Sequence, residues 1–277
     1  MIGYYKTKFR TIGLLSPRKA AESALRLFCT PYTGRPKKKI PPVFHKALTL
    51  AFEFEGLTVR GFHWKPAQPG RKVLISHGFS SYSYKFEHLV QPLLREGFEV
   101  FAFDAPAHGT SDGKTINAMV YKNMLLRIEE TYGPFYGFIG HSLGALATSL
   151  AMEEIKDNLH KKMVLIAPAT ETSRAIRQYC HLLHIRETTK AELEQLIESM
   201  TRKPISHFSV NRAVKQVPTP TLWVHDQHDR ICPLKDTLPS REHPIPHLHF
   251  MITEGLGHNK IYRDQQVVKE ILRFLLD

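Results

Sequence analysis

Residues 136–147 read YGFIGHSLGALA. An apolar run ends in Gly140-His141-Ser142-Leu143-Gly144, and small residues follow. The pattern is G-x-S-x-G with strand-like sequence before it and helix-like sequence after it, the context that gives the motif a physical meaning. A chain that turns from strand to helix so abruptly is crowded two positions to either side of the tip. Glycines at 140 and 144 relieve that crowding, and Ala145 and Ala147 keep the following helix slim. Ser142 is thereby lifted out of the sheet edge on a strained backbone. Taken alone, the pentapeptide is also compatible with an ordinary glycine-rich turn.

The flanking sequence repeats the same strand-to-helix rhythm from about residue 47. ALTLAFEFEGLTVRGFHWKP (47–66) reads as two strands around Glu55-Gly56, a hairpin signal. KVLISHGF (72–79), EVFAFDAP (99–106), FYGFIGHS (135–142) and KKMVLIAPA (161–169) read as buried strands. Helices are predicted around 85–96 and 115–131, and from Gly144. TLWVHD (221–226) and HLHFMIT (247–253) complete the strands, and IYRDQQVVKEILRFLLD (261–277) closes as an amphipathic helix. Near-continuous apolar strands alternating with helices predict an α/β fold whose mainly parallel sheet is covered on both faces.

Two segments depart from the rhythm. Residues 170–217 are helical and charge-mixed, with Thr188 or Thr189 placed to cap the second helix and Glu192 to complete a capping box with Thr189. Ile176, Tyr179, Leu182 and Leu183 in that insertion could face either a core, the expected place, or a substrate pocket. Residues 1–46 hold eleven Lys/Arg against the single acid Glu22, a net +10, whereas residues 47–277 carry +2. Ser16-Pro17 predicts a helix start, continued by RKAAESALRLFC (18–29). TPYTGRPKKKIPP (30–42) then reads as a linker containing Lys37, Lys38 and Lys39. Basic extensions of this kind are commonly solvated arms that pack through a few apolar residues. A weak contact with an anionic surface is the alternative reading, and no specific nucleic-acid binding is expected from so short a basic run.

The 277 residues are 42% apolar and 23% charged, which suits a globular chain with a sizeable core. No run approaches the roughly 18 apolar residues of a membrane span, and the first residues lack the apolar region of a signal peptide. Cys29, Cys180 and Cys232 follow no metal or redox spacing. A cytoplasmic protein with reduced thiols is the expectation.

A serine hydroxyl is a weak nucleophile at neutral pH and needs a base with an orienting acid. LWVHDQHDRICP (222–233) places Asp226 and Asp229 after an apolar strand, and EGLGHNKI (254–261) places His258 in a glycine-lined loop. The order Ser, Asp, His is the one such a sheet uses. His225 and His228 lie three apart without a third ligand, weak grounds for a metal site.

From about residue 47 to 277 the chain resembles the α/β-hydrolase superfamily. SHGF (76–79) is similar to its oxyanion loop, and DAPAHGTSDG (104–113) to its Asp-x-Pro-x-His-Gly-x-Ser segment. GHSLG resembles the nucleophile elbow, HDQHDRICP (225–233) the acid loop and GLGHN (255–259) the histidine loop. The resemblance implies a central sheet of about eight strands, helices on both faces and a short helical cap at about 170–217. It implies Ser142 as nucleophile and His258 as general base, then general acid. Backbone N–H groups of Phe79 and Leu143 would form the oxyanion hole, and Gly140 and Gly144 the elbow. Two acids compete for the third position. The family acid loop, laid on this sequence, puts Asp229 in the acid place, with Asp226 as a turn residue where a glycine is usual. His77 would anchor the oxyanion loop, and His108 would shape the loop near the site without reacting. A serine nucleophile implies acyl transfer through an acyl-enzyme, without cofactor or metal, on small to medium carboxylic esters. A thioesterase or other acyl-transfer enzyme with the same triad is the alternative, and a non-catalytic binding module the reading from another class.

Overall fold

Glu55 and Gly56 both take positive φ, 50° and 74°, as a tight hairpin turn between right-twisted strands requires. They fold β1 (Leu48–Phe54) antiparallel onto β2 (Leu57–Trp64). The computed structural model describes residues 2–32 and 39–277. Residues 33–38 of the predicted linker, Lys37 and Lys38 among them, lie outside the described residues. The remaining strands are β3 (Lys72–Ser76), β4 (Glu99–Phe103), β5 (Gly137–His141), β6 (Lys162–Ile166), β7 (Thr221–Asp226) and β8 (Leu248–Thr253). They form one sheet in the order β1-β2-β4-β3-β5-β6-β7-β8. β2 pairs antiparallel with both β1 and β4, and every other pairing is parallel. The predicted mainly parallel eight-stranded sheet is the fold observed.

Strand alternation explains why these runs are apolar throughout. Val73, Ile75, Val100, Ala102, Ile139, Val164 and Val224 share a core with the C-terminal helix Gln265–Leu276. Their neighbours Leu74, Phe101, Phe138, Leu165 and Trp223 are buried on the opposite face. Parallel register brings the carboxyl ends of β3, β5, β6 and β7 to one edge, with Ser76 paired to Gly140 and His141 to Ile166. Loops leaving that edge are where an open α/β sheet assembles its site.

The longer helices are α1 (Ile2–Leu15), α2 (Pro17–Phe28), α3 (Glu87–Arg95), α4 (Ala118–Tyr132), α5 (Leu143–Met152), α6 (Thr172–Leu182), α7 (Glu187–Thr201) and α8 (Val210–Gln216), followed by the C-terminal one. The chain forms two compact units. The larger, Pro31–Thr170 with Val210–Asp277, contains the sheet. The smaller joins the residues up to Thr30 to Glu171–Ser209. Within it, Phe9, Ala21 and Ala24 share a core with Ile176, Tyr179, Leu183, Leu193 and Leu196. The Tyr179 hydroxyl donates to the Ala24 carbonyl at 2.9 Å. Leu182, also expected in a core, is instead exposed.

An additional helix precedes the expected one, and one local expectation is corrected. Helix begins at Ile2, well before Ser16. Gly3 and Gly13 lower the propensity of this stretch, and only Phe9 and Gly13 are buried along it. Packing rather than intrinsic preference sets α1. Ser16 still caps α2, accepting the Lys19 N–H at 3.4 Å ahead of Pro17. The correction concerns α7, whose cap position is Arg186. Thr189 therefore sits inside the first turn, 1% exposed, rather than capping the helix. Its hydroxyl would lie 3.0 Å from a Cβ added at Gly13. Phe9 is fully buried and stacked against Tyr5. Phe9→Ala is expected to cost about 3 kcal/mol by cavity formation. Denaturant unfolding of the full chain measures this, and an unchanged midpoint would contradict a Phe9-centred core.

Candidate active site

Ser142 holds φ 53° and ψ −117° at the junction of β5 and α5, a conformation side chains adopt only when the surroundings impose it. Its N–H donates to the Ile166 carbonyl at 3.1 Å, and its own carbonyl accepts from Leu146 and Ala169 at 3.2 and 3.1 Å. The two motif glycines are explained by backbone contact. A Cβ at Gly140 would stand 2.5 Å from the Ala145 Cα, and one at Gly144 2.4 Å from the Ser76 carbonyl oxygen. No side chain fits either place.

His258 follows β8 in the short helix Gly257–Lys260. Its Nδ1 lies 2.7 Å from Asp229 Oδ2, and its Nε2 3.1 Å from Ser142 Oγ. A carboxylate only accepts, so Nδ1 carries the proton and Nε2 offers its lone pair to the serine hydroxyl. Asp229 Oδ1 accepts the N–H groups of Ile231 and Cys232 at 2.8 and 2.9 Å. Burial pushes the Asp229 carboxyl up, but His258 and those two amides outweigh it and hold the group below the ordinary value. Asp226 is used otherwise. It accepts from the His228 N–H, the Thr253 hydroxyl and the Leu256 N–H, each at 2.9 Å. It ties the end of β7 to the loop that carries His258. Geometry thus separates the two candidate acids: only Asp229 bonds to the histidine.

The loop after β3 is held by its own His77 and by side chains from two other segments. His77 Nδ1 donates to the Gly78 carbonyl at 2.8 Å, and its Nε2 accepts the Ala105 N–H at 3.0 Å. The Tyr121 hydroxyl donates to the His77 carbonyl at 3.0 Å. His108 Nε2 accepts the Ser80 N–H at 3.0 Å while Nδ1 donates to the Pro106 carbonyl at 2.9 Å. Both rings act as neutral donor–acceptor bridges, and burial lowers their pKa to about 4 for His77 and about 3 for His108. Asp104 anchors the neighbouring loop, accepting from the N–H and hydroxyl of both Ser83 and Thr110. Phe79 sits half-buried between these fixed points. Leu143 opens α5, where the first N–H groups of a helix have no partner within it and favour negative charge.

Three contributors escape sequence reading: Tyr121, Asp104 as an anchor, and His141. His141 Nε2 donates to the His258 backbone carbonyl at 3.0 Å. Its ring packs 4.8 Å from the His258 ring, centroid to centroid. Burial, then the charge of His258, lowers its pKa to about 3. The one available signal was its place inside the pentapeptide. His225, weighed as a metal ligand, donates from Nε2 to the Cys232 carbonyl and accepts at Nδ1 from Trp223. Among the described residues no three metal-binding side chains are grouped.

Residues 67–207 match the family model described as serine aminopeptidase, S33. The chain belongs to this family of α/β-hydrolases. A monoglyceride lipase homologue of Monkeypox virus is 22% identical over 251 residues, covering 76% of this hydrolase and 90% of the relative. Rat monoglyceride lipase is 27% identical over 147 residues, 50% of this chain and 48% of that one. An esterase of Pyrococcus furiosus superposes with a TM-score of 0.65 at 19% identity, covering 89% of this chain and 97% of its own. At that identity the structure establishes the fold alone. The family match ends before Asp229 and His258, so the hydrolase's serine-to-carboxylate chain rests on its own geometry.

Proposed function

We propose that this hydrolase cleaves carboxylic esters of small to medium acyl chains through an acyl-enzyme on Ser142. The observation that carries the reading is the continuous bond from Ser142 Oγ through His258 to Asp229, at 3.1 and 2.7 Å. His258 Nε2 takes the serine proton as Oγ attacks the acyl carbon. The charge that develops on the carbonyl oxygen meets the backbone N–H groups of Phe79 and Leu143, each such donor worth about 3 kcal/mol. His258 then passes its proton to the departing alkoxide, and the alcohol leaves. Water repeats the sequence on the acyl-enzyme, giving a carboxylic acid and free Ser142. Throughout, Asp229 keeps the imidazole in the Nδ1–H form and offsets its transient positive charge. The lipase and esterase names of the relatives support ester over amide substrates. Three buried, unbridged cysteines suit a reducing, cytoplasmic setting.

A fluorophosphonate probe is expected to label the native protein stoichiometrically and to leave Ser142→Ala unlabelled. Folded native protein that resists labelling would overturn the serine-hydrolase reading. A series of p-nitrophenyl esters, the matching acyl thioesters and anilides of graded chain length then ranks the leaving group. Faster turnover of thioesters throughout would move the assignment to a thioesterase.

A further inference from the structure

The exposed face of α1 has a composition unlike a solvated helix. At 100° per residue, Phe9 and Gly13 define the inner side. Opposite them lie Tyr4, Thr7, Thr11, Leu14 and Leu15. Tyr4 is 67% exposed, Leu14 63% and Leu15 83%. Arg10 borders this strip on one side and Lys8 on the other, Lys6 lies nearer the inner face against His184 at 3.2 Å, and the helix contains no acid. An uncharged, partly apolar strip between two cationic margins is the pattern of a helix that lies in a membrane interface.

We propose that α1 docks this protein on an anionic phospholipid surface, its strip entering the headgroup layer and Lys8 and Arg10 at its margins meeting lipid phosphates. Charge complementarity selects that occupant. A nucleic acid draws its affinity from cations at the centre of the contact, whereas the centre here is Thr11 with tyrosine and leucine around it. A second copy of the same face would bring like charges together. A lipid surface takes both components at once: each cation near it strengthens binding about fivefold, and the apolar strip adds to that. No helix among the described residues is long and apolar enough to cross a membrane, so the contact would be peripheral. The proposal is independent of the reaction at Ser142.

The test uses the full chain and co-sedimentation with phosphatidylcholine vesicles, pure or carrying about a quarter phosphatidylglycerol. Binding is expected only to the anionic vesicles and is expected to weaken as salt is added. Lys8→Glu with Arg10→Glu should lower the partition coefficient at least about tenfold. Leu14→Ser with Leu15→Ser should lower it by about tenfold while leaving every charge in place. Arg10, Leu14 and Leu15 are exposed and Lys8 is half-buried, none of them in the core, so thermal unfolding and hydrolysis of a soluble short-chain ester should stay native-like. As a separate readout, Tyr4→Trp should shift its emission to the blue on adding anionic vesicles. Failure of the native chain to bind them overturns the proposal. So does loss of binding in the charge variant alone, the result for a nucleic acid or an acidic protein, checked with duplex DNA as competitor. A native dimer that the leucine variant dissolves would assign the strip to a second copy instead.

Discussion

Ser142→Ala is expected to reduce kcat on a short-chain ester about 10⁶-fold with little change in KM. The hydroxyl is the atom that forms the acyl bond in the proposed reaction, and among the described residues it is the one side chain hydrogen-bonded to His258 Nε2. Asp229→Asn is expected to cost about 10⁴-fold. An amide at Oδ2 can present N–H to His258 Nδ1, which favours the tautomer protonated at Nε2. That tautomer cannot accept the serine proton. The informative contrast is Asp226→Asn. Its carboxylate accepts three bonds, two of which join the β7 end to β8 and the histidine loop, and none reaches the His258 ring. This variant should lose stability, by about 1–3 kcal/mol for the unsatisfied donors, and keep kcat within an order of magnitude when assayed cold. Steady-state kinetics with p-nitrophenyl acetate measure the three activities, and urea unfolding measures the stability of Asp226→Asn. An active Asp229→Asn beside an inactive Asp226→Asn would reverse the assignment of the acid.

The sheet was legible because its strands are short apolar runs separated by helices, and because Glu55-Gly56 is a local turn. Ser142 was legible because the elbow is also local: its glycines answer contacts within a few residues, apart from the approach of Ser76 to Gly144. Asp229 and His258 could be named from loop patterns and the family resemblance, whereas the bond that joins them depends on where two loops meet. Distance in sequence explains what was missed. Tyr121 bonds His77 across 44 positions, and His141 bonds the His258 carbonyl across 117. Neither leaves a periodic trace. The helix from Ile2 to Leu15 was invisible for the related reason that one phenylalanine and one glycine hold it, against a core made by residues far along the chain.

Below pH 6.5 the protein is expected to lose stability steeply, through histidines that hold the site together. His77, His108 and His141 are 1%, 4% and 3% exposed. Burial lowers their pKa values to about 4, 3 and 3, against an ordinary value near 6.5 in the unfolded chain. Above pH 6.5 both states leave these rings neutral, and their contribution is fully present. As the pH falls, the unfolded chain takes up protons that the folded one refuses, until the folded values are reached. At pH 5 this amounts to about 2 kcal/mol per histidine and about 6 for the three, comparable with the whole stability of a typical domain. His225 moves the same way. Asp104 opposes it, because burial raises its carboxyl despite four hydrogen bonds, but it supplies one proton against three. Asp229 and Asp226 lie below their ordinary value and add to the loss only at still lower pH. Urea unfolding between pH 7.5 and 5 should show a slope approaching about 4 kcal/mol per pH unit, and a flat profile would contradict it. His108→Gln isolates one contribution. Its side-chain carbonyl can still accept the Ser80 N–H, yet it cannot take a proton, so the slope should fall by about a third. An unchanged slope would mean that His108 is protonated in the folded state, which the Ser80 N–H directed at its Nε2 forbids.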